Sequence, residues 1–300
     1  MKGKWCLILT MLIFGSIGVF VKKIDLSSSE IAFLRGVIGS VFLLIASFLV
    51  KHKPSLQALK ANAVLLLLSG AAIGLNWIFL FESFRYTTIS NATISYYFAP
   101  IFVMILAPWV LKEKLTSTKV ICIVMAMIGL YLIVNPGSGG TSGSMNHTLG
   151  IFYGLLAAAL YASVILMNKF IKGLSGFETT LVQLMAAALV LLPYLLWKGQ
   201  LNFTELNSTA ILFILILGIV HTGLAYFLYF TSIQKLKGQT IAVLSYIDPI
   251  SAVIIAAIFL GEGMTVIQMI GGVLVLGSTF LSEKLELKLE KKGQSPTTSP

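Results

Sequence analysis

Residues 89–111, ISNATISYYFAPIFVMILAPWVL, run for 23 residues without a charge, and 149 residues further on the stretch 238–260, GQTIAVLSYIDPISAVIIAAIFL, matches it in length with a single charge, Asp248. A helix needs about 20 mostly apolar residues to cross a hydrocarbon core about 30 Å thick. Both stretches are long enough, and neither alternates polar with apolar as a barrel strand would. Each also carries a tyrosine three residues before a proline, Tyr97 and Pro100 in the first, Tyr246 and Pro249 in the second. One membrane helix design is written into the chain twice.

The rest of the chain agrees. Its 300 residues are 57% hydrophobic and 11% charged, with a mean hydropathy of +0.95, against about a quarter charged residues in a soluble domain. Segmentation between polar breaks yields ten spans, approximately 4–21, 29–50, 61–82, 89–111, 118–134, 149–168, 177–197, 209–231, 238–260 and 265–282. With no water to satisfy backbone groups in lipid, long non-alternating spans are helices. The fold class is all-α integral membrane. Lys2 and Lys4 precede the first span as in a signal peptide, but Phe20-Val21-Lys22-Lys23 offers no cleavage site, so it reads as a retained first helix. Cys6 and Cys122 both fall inside spans and suggest neither a disulfide framework nor a metal cluster. No metal and no cofactor is expected.

The formal charge of +10 follows topology, not nucleic acid. With a cytoplasmic N-terminus, 16 of the 21 basic residues fall on the cytoplasmic side; Lys22, Lys23, Arg85 and Lys198 fall outside and Arg35 lies within a span. Under the positive-inside rule both termini are expected in the cytoplasm of a cell with a bacterial-type inner membrane.

At the 149-residue offset Gly74 also meets Gly223, Leu75 Leu224, Phe81 Phe230, Ser83 Ser232, Glu113 Glu262 and Thr116 Thr265; at 148 Glu30 meets Glu178, and at 147 Ser16 meets Ser163 and Lys22 meets Lys169. The domain boundaries expected are a first repeat at 1–134, an external Gly- and Ser-rich linker at 135–148, a second repeat at 149–282 and a cytoplasmic tail at 283–300. Five helices is an odd number, so the second half enters the membrane from the opposite side. Inverted repeats are an architecture of alternating-access transporters, with the substrate near the midplane between the halves.

The pattern Ser95-Tyr96-Tyr97-Phe98-Ala99-Pro100 followed by Leu111-Lys112-Glu113-Lys114-Leu115, and again Leu244-Ser245-Tyr246-Ile247-Asp248-Pro249 followed by Leu260-Gly261-Glu262, resembles the paired EamA domains of the drug/metabolite transporter superfamily. Phe33-Leu34-Arg35 in the second span and Gly129, Gly271, Gly272 and Gly277 in the closing helices add to it. The resemblance covers residues 5–282. It implies ten helices in a five-plus-five inverted arrangement around a central cavity, and leaves the substrate open among amino acids, other metabolites and toxic compounds. Gln183 stands at the position matching Arg35, so a role for that arginine is not doubled.

Ionisable groups inside a membrane are costly and normally face a cavity or a partner. Asp248 matches Ala99, so the shared fold does not require it. It is a candidate proton carrier or ammonium counter-ion, against a reading as an acid that caps backbone freed by Pro249. Arg35 is a candidate for a substrate carboxylate through its two-pronged donors, against a structural ion pair with Glu30 or a snorkelled side chain. Trp77 and Tyr226 lie mid-helix in the matching segments 74–77 and 223–226, as cavity lining or core. Asn76, matched by Ala225, offers a hydrogen bond for specificity. His221 lies mid-span as a proton relay or a packing residue, and Tyr96, Tyr97, Tyr161 and Tyr246 offer hydroxyls at depth. Glu113 and Glu262, duplicated, read as scaffold; Glu82 and Arg85 read as a solvated helix end.

No Walker-type loop is present, and three scattered histidines, His52, His147 and His221, make no catalytic cluster. The chain is therefore expected not to be an enzyme. The expectation is a secondary transporter that exports a small metabolite such as an amino acid, with the proton as a coupling ion. The alternative is efflux of drugs or other cationic compounds, and after it a channel or a membrane-embedded enzyme. Monomer and homodimer are both compatible with two halves in one chain.

Overall fold

The computed structural model of the chain describes residues 2–49, 55–112, 117–134, 146–199, 207–233 and 244–291. Among them every regular element is helical. The first three spans are Lys2–Lys22, Ser28–Leu49 and Ala63–Tyr86, the last preceded by a short helix Leu56–Ala61; the fourth is split into Ile89–Tyr96 and Ala99–Val110; the fifth is Ser117–Val134. The sixth and seventh are His147–Asn168 and Gly176–Lys198. The eighth runs on without a break through Ser208–Leu215, a π-helical segment Ile216–Leu224, and Ala225–Ile233; the ninth is Ile247–Leu260 and the tenth Val266–Lys291. Seven are long and apolar enough to cross a membrane by themselves and three are shorter apolar helices. The tenth continues nine residues past Ser282, where its sequence turns charged. Glu113, residues 234–243 at the start of the expected ninth span, most of the linker and the end of the tail lie outside the described residues.

Local chemistry sets the helix ends. Ser175 accepts from the Glu178 amide at 3.2 Å while Glu178 accepts from the Ser175 amide at 2.6 Å, a reciprocal capping box. The same device stands 148 residues earlier, where Glu30 accepts from the Ser27 amide at 2.8 Å and Ser27 from the Glu30 amide at 3.3 Å. Glu30 is buried in this cap and no ion pair to Arg35 forms. The fourth and ninth helices break at matching places, Tyr97-Phe98 and Tyr246. Pro100 and Pro249 lack the amide that would reach back four residues to Tyr96 and Ser245, so each helix restarts with its proline in the first turn.

Packing follows a two-fold plan. The first span packs on the ninth and the fourth on the sixth; the third packs on the sixth and the first on the eighth; the third packs on the seventh and the second on the eighth. The second with the seventh, and the fifth with the tenth, are their own images. Small residues allow these approaches, as they do where hydrophobicity offers no drive between helices in lipid. A methyl group at Gly129 would come to 2.6 Å from the Gly271 carbonyl, and one at Gly271 to 2.6 Å from the Gly129 carbonyl. Gly70 lies against Ala186 and Gln183 of the seventh span, and Gly218 against Ile38 of the second. Gly74 and Gly223 make the next pair, against Leu191 and Phe42.

Candidate functional site

The two helix breaks meet. Tyr97, at the break in the fourth span, donates its hydroxyl to Asp248 Oδ2 at 2.7 Å, so one half supplies a carboxylate and the other a hydroxyl to it. Tyr96, Tyr161 and Tyr226 lie close enough to Asp248 to feel its charge. Tyr96 packs on Tyr161 with ring centroids 5.6 Å apart and edge-on to Tyr97 at 6.3 Å, while Tyr226 leans on Phe14 at 5.5 Å. Asp248 and the three tyrosines 96, 97 and 226 are half-buried, and Tyr161 is 41% exposed. A half-buried carboxylate that takes a tyrosine hydroxyl and keeps some solvent access can hold a cation or a proton.

Arg35 forms the other pole. It is 3% exposed, donates from Nε to Thr222 Oγ1 at 2.6 Å, and lays its guanidinium over Trp77 at 4.4 Å and Phe81 at 5.8 Å. Aromatic faces offset part of the cost of burying its charge. Among the described residues no carboxylate pairs with it and that Nε contact is its hydrogen bond, leaving its two terminal nitrogens for another group. Tyr96 and Tyr226 border Arg35 as they border Asp248. Tyr96 and Tyr226 are therefore within electrostatic reach of both a cation from the first half and an anion from the second.

The remaining candidates are placed differently. Trp77 is buried beneath Arg35. Asn76 donates to the Ala157 carbonyl at 2.6 Å, tying the third span to the sixth, and reaches Tyr96. His221 is buried with Nε2 2.8 Å from Ser16 Oγ, Nδ1 3.2 Å from the Ile216 carbonyl and its ring against Phe20 at 4.9 Å. Tyr246 stands edge-on to Phe280 at 5.5 Å. Gln183, at the position matching Arg35, donates to Ser69 Oγ and Asn168 Oδ1, both at 2.7 Å, a neutral cross-link.

Thr222, Ser16 and Phe14 complete this environment and carry no signal in the sequence, since hydroxyls and aromatics are scattered through every span. The π-helical turn is equally silent. It brings Thr222 to Arg35 while Thr222 Oγ1 stays bonded to the Leu217 carbonyl, five residues back, at 2.9 Å. π-turns recur at functional sites.

Comparison with known proteins agrees with this fold. Residues 1–135 and 148–283 each match the sequence model of the EamA-like transporter family. The chain is 30% identical over 276 residues to the "Uncharacterized transporter YxxF" of Bacillus subtilis, covering 92% of this chain and 88% of that protein. It is 27% identical over 190 residues to a "Probable amino-acid metabolite efflux pump" of Salmonella typhimurium, covering 60% of this chain and 62% of that one. A solved crystal structure, 15% identical, superposes with a TM-score of 0.62 over 96% of this chain and 99% of that chain, a likeness of fold.

Proposed function

The chain belongs to the EamA-like transporter family, and on that premise we propose that it is a secondary carrier exporting a small zwitterionic metabolite, such as an amino acid, across the cell membrane by alternating access. The observation that carries this reading is a pair of opposite charges in the membrane interior, Asp248 and Arg35, from opposite halves and both within electrostatic reach of Tyr96 and Tyr226. An amino acid presents an ammonium group to the first and a carboxylate to the second, and Tyr161 and Tyr97 complete the wall. Arginine suits the carboxylate because its planar fork donates two parallel bonds.

Asp248 has a second duty in this reading. It alternates between a proton and the substrate ammonium, so that a proton gradient drives exchange. Tyr97 holds the carboxylate between those two occupants. Rocking of one half against the other about the pseudo-two-fold axis exposes the poles to each side in turn. The similarity to an amino-acid metabolite efflux pump supports this substrate class.

The test is counterflow of labelled amino acids into proteoliposomes of purified protein, with and without an imposed pH gradient, alongside Asp248→Asn. Saturable exchange that responds to the gradient and is lost in the variant supports the reading. Exchange of no amino acid sinks it and favours the second reading, efflux of cationic compounds. That reading draws on Asp248 standing among aromatic rings, a natural setting for an organic cation.

A further inference from the structure

One carboxylate ties three spans together at a single face of the protein. Glu262 Oε1 accepts from Lys22 Nζ at 2.5 Å and its Oε2 from the Ile89 amide at 2.7 Å. Lys22 ends the first span, Ile89 starts the fourth, and Glu262 lies in the turn between the ninth and tenth. The turn is shaped for it: Gly261 takes φ +65°, a left-handed conformation natural to glycine, which stops the ninth helix just before Glu262. The Lys22–Glu262 bridge is the one ion pair among the described residues and is mostly shielded, with side-chain exposures of 16% and 10%. The carboxylate also meets the free amide end of a helix, where a negative charge is favoured.

Further hydrogen bonds gather on the same face. Gln268 donates to Asn91 Oδ1 at 3.4 Å, Asn91 to Thr87 Oγ1 at 3.3 Å, and Thr87 Oγ1 lies 2.9 Å from His147 Nδ1, linking the tenth, fourth and sixth spans. Arg85 reaches the Leu26 carbonyl. Lys169, the repeat counterpart of Lys22, follows the sixth span at the opposite face, where it is exposed, and Glu113, the counterpart of Glu262, lies outside the described residues. A carrier that alternates has to open each face in turn. Here one face carries a shielded charged clasp across the halves, with Lys22 and Ile89 from the first and Glu262 from the second.

We propose that Glu262 is the gate residue of this face: its release from Lys22 and from the Ile89 amide opens the path to Asp248, and its return closes it. The proposal rests on the carrier reading but not on the identity of the substrate. Glu262 acts as a positioning residue through the helices it joins. Beneath it Ala256, in the ninth span, is fully buried in the core that includes Val19 and Ile89. A thiol at that position reports the opening directly.

The experiment uses the full chain in lipid nanodiscs, with Cys6→Ser, Cys122→Ala and Ala256→Cys, and follows the rate of labelling by a charged maleimide. Glu262→Gln keeps the shape and one hydrogen-bond acceptor but loses the charge pair, so labelling is expected to rise about tenfold. The exchanged pair Lys22→Glu with Glu262→Lys restores the bridge and returns labelling toward the parent rate. Unchanged labelling in Glu262→Gln overturns the proposal. A lower melting temperature with unchanged labelling does so too, and marks Glu262 as a brace. Because no substrate is present, failed amino-acid counterflow leaves this outcome independent.

Discussion

The broken fourth and ninth helices share a tyrosine, a proline three residues later and a restart with that proline in the first turn, yet the residue before the proline is buried Ala99 in one and half-buried Asp248 in the other. The second and seventh helices repeat the contrast: the same Ser-Glu capping box opens both, and then Arg35 stands where Gln183 stands. What builds the membrane domain is doubled: breaks, caps and close-packed glycines. The two charges set beyond the helix ends, Arg35 and Asp248, are each single. The doubled breaks, caps and glycines answer a need of the fold, and a charge present in a single half is free to answer a need of the substrate.

The contrast is broken most sharply at Asp248. Asp248→Asn keeps an acceptor for Tyr97 and is expected to lower gradient-driven counterflow by roughly a hundredfold, while Ala99→Asn, the matching change in the other half, leaves coupling to the gradient intact. Next comes Arg35→Gln, which gives the first half the residue of the second. Counterflow of an amino acid is expected to fall by about tenfold, with binding of the corresponding decarboxylated amine nearly unaffected, as measured by competition. Tyr97→Phe removes the hydroxyl on Asp248 and should cost several-fold in transport, on the order of one charge-assisted hydrogen bond. Tyr246→Phe, its image, should change transport by less than about twofold.

Doubled features should instead give equal effects. Gly129→Leu and Gly271→Leu both force the fifth and tenth helices apart and are each expected to destabilise by about 1–3 kcal/mol, seen as matching losses in thermal melting in detergent. Ser27→Ala and Ser175→Ala should each cost about 1 kcal/mol by the same measurement. Unequal losses within either pair would show that the halves are not mechanically alike.

Much of this architecture is legible without coordinates because it rests on length and composition. Ten apolar runs, the helix breaks at Pro100 and Pro249 and the doubled glycines all follow from residue types at fixed spacing. Side-chain partnerships do not. Arg35 selects Thr222, His221 sits by Ser16, and Asn76 reaches the Ala157 carbonyl, and each choice depends on how far a helix is rotated about its axis. In a membrane helix that is apolar all round, hydropathy carries almost no rotational information. Glu30 illustrates the limit: its spacing from Arg35 suggests an ion pair, while its position three residues after Ser27 makes it a cap.

The π-helical turn in the eighth span bears on the register of the repeat. Gly70 and Gly74 of the third span are four residues apart, whereas their counterparts Gly218 and Gly223 are five apart, and the first glycine of each pair faces the equivalent neighbour across the two-fold, Ala186 and Ile38. The slip of the repeat from 148 to 149 residues therefore falls inside the segment Ile216–Leu224. The wider turn takes up the extra residue while the helix runs on without a break at either end. His221 and Thr222 lie in that slack, so the contact between Thr222 and Arg35 belongs to the widened turn and has no image in the third span.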